Sequence, residues 1–207
     1  MTLGHTVRRN MKIIFATGNK DKLKEIKRIF EGTQYEVISM REAGFDGDIE
    51  ENGETFEENS YIKAKTIWDK FGGLVMADDS GFMVDYMGGA PGVYSARYLG
   101  EDADYDKKCT SILKELEGVP KEKRGACFAA VITAILPDGR KLVSEGRLSG
   151  IVNDKLEGTN GFGYDPILYV PELGKTSAQI SMDEKNAISH RGKALRKMKE
   201  LLSQELG

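Results

Sequence analysis

Cysteine and histidine are nearly missing from this 207-residue chain, with two of each. Cys109 and Cys127 form neither a metal-spacing motif nor a disulfide framework, which excludes a zinc finger and a cystine-stapled secreted domain. Buried free thiols in a reducing compartment are the expectation. His190 is the one histidine beyond the first ten residues, so a His-rich metal centre is excluded and no Cys-His or Ser-His-Asp set can be assigned. No run approaches the roughly 18 apolar residues of a membrane span, so no membrane partner is expected. A basic surplus is lacking too. The 30 Lys and Arg face 33 Asp and Glu, for a net charge of −3. That disfavours broad nucleic-acid binding and leaves a small anionic ligand open, since such a ligand needs only a local cluster of cations. Repeats, linkers and low-complexity tracts are absent. Met1–Asn10 carries Arg8 and Arg9 but no apolar core, so it does not read as a secretory signal. A disordered leader is expected there, followed by one two-lobed domain over 11–207, in the cytoplasm.

What is present is a strand-helix alternation that turns into a hairpin. Lys12–Ala16 reads as a buried strand and Asp21–Phe30 as a helix with Leu23, Ile26, Ile29 and Phe30 on one face. Tyr35–Ser39 is a second strand. An acidic loop over 41–53 precedes Thr55-Phe56-Glu57-Glu58, a capping box that opens a helix to about Phe71. Leu74–Ala77 reads as a short strand that exits into Asp78-Asp79-Ser80-Gly81, with Phe82–Tyr86 as a separate strand. Asp104–Leu116 has helical spacing. Ala126–Leu136 and Lys141–Leu148 flank the turn Pro137-Asp138-Gly139-Arg140. Ile167–Val170 is a late strand, and Lys193–Leu202 closes the chain as a helix. The order predicts a mixed α/β protein, parallel near its start and antiparallel later.

Four places hold candidate chemistry. Thr17-Gly18-Asn19-Lys20-Asp21-Lys22 lies at a strand-to-helix junction, where free N–H groups, the helix dipole and two lysines favour phosphate. An ordinary β–α loop is the alternative. The adjacent carboxylates of Asp78 and Asp79 need a counter-charge. They suit either a turn cap or Mg²⁺, which takes one or two carboxylates plus substrate phosphate. Gly161-Phe162-Gly163-Tyr164-Asp165-Pro166 offers aromatic faces on which a base can stack, or which plug the core. It lacks the third glycine of a dinucleotide fingerprint. Lys185, His190 and Arg191 form a polar cluster before the last helix. Gly174-Lys175-Thr176 imitates the end of a P-loop, but the glycine required five residues earlier is Tyr169.

Taken together, the segments are specific. Thr17-Gly18-Asn19 with Lys22 and Glu25, Ala77 to Gly81, Gly88 to Arg97, Gly161 to Pro166 and Ile188 to Gly192 occur in that order. Over about residues 11–203 the chain resembles the inosine triphosphate pyrophosphatase family, of the Ham1/RdgB type. The resemblance implies a long mixed central sheet with two α/β lobes and a substrate cleft between them. It implies a homodimer. It also implies Mg²⁺-dependent hydrolysis of dITP, ITP and XTP to monophosphate and pyrophosphate, which clears deaminated purines from the nucleotide pool. On that resemblance Thr17, Gly18, Asn19, Lys20, Asp21, Lys22 and Lys63 bind the triphosphate. Glu50 and Asp79 bind metal, with Asp79 also accepting the proton of water. Ser80, Phe162, Gly163, Tyr164 and Asp165 contact the substrate, and Lys185, His190 and Arg191 recognise the base. Lys185 and Arg191, as pure donors, are expected to favour a purine 6-oxygen over the adenine amino group. Two other readings stand beside it. One is a nucleotide sensor without turnover. The other is a Maf-like pyrophosphatase for modified pyrimidines, whose early Ser-and-Arg signature is replaced here by Thr-Gly-Asn.

Overall fold

The computed structural model describes residues 11–100 and 102–207, so the expected disordered leader lies outside the described residues. Seven strands form one sheet: β1 (Met11–Phe15), β2 (Tyr35–Ser39), β3 (Leu74–Val84), β4 (Gly125–Ile135), β5 (Lys141–Val152), β6 (Leu168–Val170) and β7 (Lys175–Thr176). Their order across the sheet is β2-β1-β3-β4-β5-β6-β7. β1 runs parallel to both β2 and β3, and every later pair is antiparallel. The chain crosses between the parallel strands through α1 (Lys20–Phe30) and α2 (Phe56–Phe71). Helical crossovers are what parallel pairing requires, whereas β4 and β5 need only a tight turn. Three more helices follow: α3 (Tyr105–Glu115), α4 (Met182–Ile188) and α5 (His190–Leu206).

The three central strands are long enough to serve two cores. Toward the β1 end, Ile13, Phe15 and Met76 pack with Ile26 and Phe30 of α1 and Leu195, Met198 and Leu202 of α5. On the opposite face Val75 and Ala77 pack with Ala64 and Ile67 of α2. Farther along β3 and β4, Phe82, Val84 and Phe128 meet Cys109 and Ile112 of α3 and Tyr164. The alternation of β3 side chains between faces follows the pleat. The stretch Asp78–Gly81 lies between the two cores, on the length of strand that neither fills.

Several expectations are corrected here. β3 is one continuous strand of 11 residues, so Asp78 and Asp79 sit mid-strand and not at an exit. Ten of its residues pair with β4 without interruption. The carboxylates are tolerated there because lysines and an arginine from three other elements reach them. The short helix α4 went unread, although Ser181 and Glu184 form a capping box that marks its start. α5 begins at His190, with Ser189 as its cap, so His190 and Arg191 lie within that helix's first turn and not before it, while Lys185 belongs to α4. Cys109 is buried, but Cys127 is partly exposed. Among the described residues no helix is long and apolar enough to cross a membrane.

Candidate active site

The α1 junction forms from a cap. Asn19 Oδ1 accepts the N–H groups of Asp21 (2.9 Å) and Lys22 (3.1 Å). This stabilises the helix start, yet it engages two of the N-terminal donors expected for a phosphate. What the junction offers instead is the Lys22 side chain, whose ammonium lies 3.0 Å from Asp78 Oδ2. Thr17, Gly18, Asn19 and Lys22 line a cavity of about 320 Å³, whereas Lys20 and Asp21 are exposed outside its lining.

Lys63, on the buried face of α2, donates to Glu51 Oε2 (2.6 Å) and lies 3.5 Å from Asp79 Oδ1. The acidic loop therefore contributes Glu51 to the site, in place of the expected Glu50. Glu50 is exposed and absent from the cavity lining. Two bonds hold the last residues of the loop in place. Gly53 N–H donates to Asn59 Oδ1 of α2 (2.8 Å), and Arg97 reaches the Glu51 carbonyl (3.4 Å). Asp79 is not itself in the cavity lining, but it borders the cavity through Lys63 and Ser80. Its Oδ1 accepts Ser80 N–H, while its Oδ2 is buried without a hydrogen-bond partner among the described residues. Burial raises the Asp79 pKa above the ordinary carboxylate range, against the pull of Lys63 and Lys22. Asp78, one residue away on the other face, goes the opposite way. Burial pushes its pKa up, but Lys22 and Arg191 outweigh that and hold it well below the usual range.

Arg191 is the hub of a buried ionic chain. Its Nε donates to Asp78 (3.2 Å), Nη1 to Glu25 and Nη2 to Ser80 Oγ (3.0 Å). Glu25, from α1, also faces Lys185 at 4.0 Å, and Lys185 donates to Asp165 Oδ2 at 2.5 Å. Lys22, Asp78, Arg191, Glu25, Lys185 and Asp165 thus alternate in sign from the α1 junction to the Gly-rich loop. Each guanidinium nitrogen already has a protein acceptor, so Arg191 first braces the fold. Any donor it offers a base comes from its remaining N–H directions. Asp165 braces the Gly-rich loop likewise, accepting Phe162 N–H (2.8 Å) and Ser177 Oγ–H (2.8 Å). Gly161 is required there, because a Cβ on it would lie 2.2 Å from Asp165 Oδ2 at a φ of +77°. Phe162 is left facing the cavity, with the Lys185 ammonium 4.8 Å and the Arg191 guanidinium 5.7 Å from its ring centre.

His190 stacks on Phe128, with ring centres 5.0 Å apart. Burial, reinforced by Arg191 and Lys185, holds its pKa well below the ordinary histidine value, so it lines the cavity as a neutral ring. Tyr164 is buried against Phe82, and its hydroxyl donates to Ser95 O (2.8 Å). All the assigned substrate residues except Lys20 and Asp21 therefore line one cavity, and Asp79 borders it. Among residues given no role from sequence, Asp48, Ile49, Glu51, Phe82, Ser95 and Tyr105 also line it. Glu25 lies beneath it and carried a signal, since it closes the first motif, while the acidic loop has no periodicity to fix which residue points inward.

The fold and this cavity define an α/β protein with a nucleotide-sized cleft, lined by charged side chains along its length and by aromatic rings on one side. The chain belongs to the Ham1 family, whose sequence pattern matches residues 13–201. It is 51% identical over 197 residues to the dITP/XTP pyrophosphatase of Caldanaerobacter subterraneus subsp. tengcongensis, covering 95% of this chain and 98% of that one. The solved Ham1 protein of Staphylococcus aureus is similar in structure, with a TM-score of 0.85 and 41% identity, covering 94% of this chain and 99% of that one. The HAM1 protein of Coxiella burnetii gives a TM-score of 0.86 at 37% identity, again over 94% of this chain and 99% of that one.

Proposed function

We propose that this chain hydrolyses the triphosphates of deaminated purines (dITP, ITP and XTP) to the monophosphate and pyrophosphate, as a homodimer that requires a divalent cation. The observation that carries the proposal is the polarity of one cavity. Lys22, Lys63 and Glu51 gather on one side with Asp79 bordering them, Phe162, Lys185 and His190 lie on the other, and Arg191 stands between, sharing Asp78 with Lys22 and facing the Phe162 ring. A nucleoside triphosphate is polarised in the same sense.

The residues fit a hard cation. Asp79 Oδ2 is buried and unpartnered among the described residues, and Glu51 shares Lys63 with Asp79. Among the described residues no group of three or more metal-ligating side chains forms a closed cage. Two carboxylates completed by substrate phosphate are the donor set typical of Mg²⁺. Glu51 and Asp79 would hold the ion. When bound it offsets phosphate charge and makes water more acidic.

The chain's own groups do the rest. Lys22 and Lys63 are drawn to the phosphate oxygens and stabilise the charge that grows there as the bond to the leaving pyrophosphate breaks. As Lys63 turns to the phosphates, Asp79 is uncovered. Its carboxylate, made more basic by burial, accepts the proton of the water that attacks the α-phosphorus. At the other end the base stacks on Phe162. A 6-oxygen accepts a hydrogen bond from Lys185, whereas an adenine amino group leaves that donor unmatched. Each such mismatch costs about 1–3 kcal/mol.

The test is product analysis with ITP, dITP, XTP, ATP, GTP and dTTP, each with and without Mg²⁺. The expected result is monophosphate plus pyrophosphate from the first three, only with the metal. Release of orthophosphate, or equal turnover of ATP and GTP, would remove the proposal.

A further inference from the structure

Five aromatic rings line the cavity in an unbroken row. His190 stacks on Phe128 (5.0 Å between centres, 16° between planes), and Phe128 meets Phe82 at 5.0 Å. Phe82 stacks on Tyr164 (5.1 Å, 12°), and Tyr164 and Tyr105 meet as a T-shaped pair (5.4 Å, 87°). Four of the five are almost completely enclosed by protein. Tyr105 is 38% exposed, so it alone in the row presents substantial ring area to whatever enters the cavity. Its position is also fixed. Asp104 caps α3 through Lys107 N–H (2.8 Å), which sets Tyr105 as the first helical residue. Lys108, buried beneath, bonds the Ala96 carbonyl and holds its ammonium 4.9 Å from the Tyr105 ring centre. A Cβ on Gly163 would touch the ring, 3.7 Å from Tyr105 Cε1, so the glycine keeps a side chain off that part of it. Gly163 is also the neighbour of Phe162, the other incompletely buried aromatic of the cavity.

We propose that Tyr105 is a nucleoside-binding residue, which packs its ring against the base and sugar and with Phe162 makes the aromatic clamp of the site. A rigid ring backed by a cation is a low-entropy contact for a flat heteroaromatic base, and it carries no selectivity of its own. Tyr105 therefore sets affinity for the nucleoside half of the substrate and takes no part in the chemistry at phosphorus. This inference rests on the nucleotide reading above.

The experiment is steady-state kinetics of Tyr105→Ala and Tyr105→Phe with ITP, together with inhibition by inorganic tripolyphosphate, which carries the phosphate charge without a nucleoside. Tyr105→Ala is expected to raise KM for ITP about tenfold, within the range for losing one base–aromatic contact, with kcat nearly unchanged. Tyr105→Phe keeps the wild-type KM, since the ring is the contact. Tripolyphosphate inhibits all three proteins equally. Tyr105→Leu retains apolar packing on Tyr164 and shows the same rise in KM, which separates the ring face from folding. An unchanged KM in Tyr105→Ala overturns the inference, as does a parallel loss of tripolyphosphate inhibition. If the wild type does not turn over ITP, the functional reading fails with it. If the wild type is active and Tyr105→Ala keeps its KM, this inference alone fails.

Discussion

Asp79→Asn is expected to lose about a thousandfold in kcat, the middle of the range for removing a positioned general base, without losing the fold. Two observations combine here. Asp79 Oδ2 has no hydrogen-bond partner among the described residues, so the carboxylate is held ready for something other than these side chains. Burial raises its pKa, so the folded state disfavours its charge, and a neutral isostere relieves that cost. The variant should therefore melt no lower than the wild type while binding nucleotide with similar affinity. Such a split between activity and stability is the mark of a group kept for chemistry. Kinetics with ITP, nucleotide binding and a melting curve give all three readouts. Full loss of turnover with binding retained also disposes of a pure sensor, for which the carboxylate would be dispensable. Activity within tenfold of the wild type would remove Asp79 from its assigned role.

Arg191→Met is expected to act in the opposite sense, by costing stability first. Arg191 is 2% exposed and stands between Asp78 and Glu25, both buried. Without it, among the described residues, Asp78 keeps Lys22 and a long hydrogen bond from Ser80 Oγ (3.4 Å), and Glu25 keeps Lys185 at 4.0 Å. Breaking a buried ionic pair by deleting one partner costs about 3–5 kcal/mol, because the remaining charge is left without compensation. For a chain of this size that corresponds to a fall in Tm of roughly 10 °C. Glu25→Gln in the same background should recover part of the loss, since contacting residues are not additive. Calorimetry of the two single variants and the double variant checks this. A Tm for Arg191→Met within about 2 °C of the wild type would mean that the ionic chain does not brace the fold.

Much of this architecture was legible in the residues, for local reasons. The capping box at Thr55 and Glu58, the hairpin turn at Pro137–Arg140 and the apolar face of α1 each specify their element within a few positions. The segments that form the cavity were also legible, because they are compact and ordered along the chain. What could not be read depended on distant partners. Two aspartates in a row look like the end of a strand until Lys22, Lys63 and Arg191 are placed beside them. Glu51 replaced Glu50 because an irregular loop has no period that tells inward from outward. Tyr105 looked like one more apolar position of a helix face. Its role at the cavity wall depends on Tyr164 and Gly163, which are remote in sequence and close in space.

The central claim is that water attacks the α-phosphorus and pyrophosphate leaves intact. Hydrolysis of ITP in ¹⁸O-labelled water, with mass analysis of both products, tests it directly. The label should appear in the phosphate of the nucleoside monophosphate and not in pyrophosphate. Label in the pyrophosphate, or its appearance in orthophosphate, would contradict the placement of Asp79, Lys22 and Lys63 around the α-phosphorus.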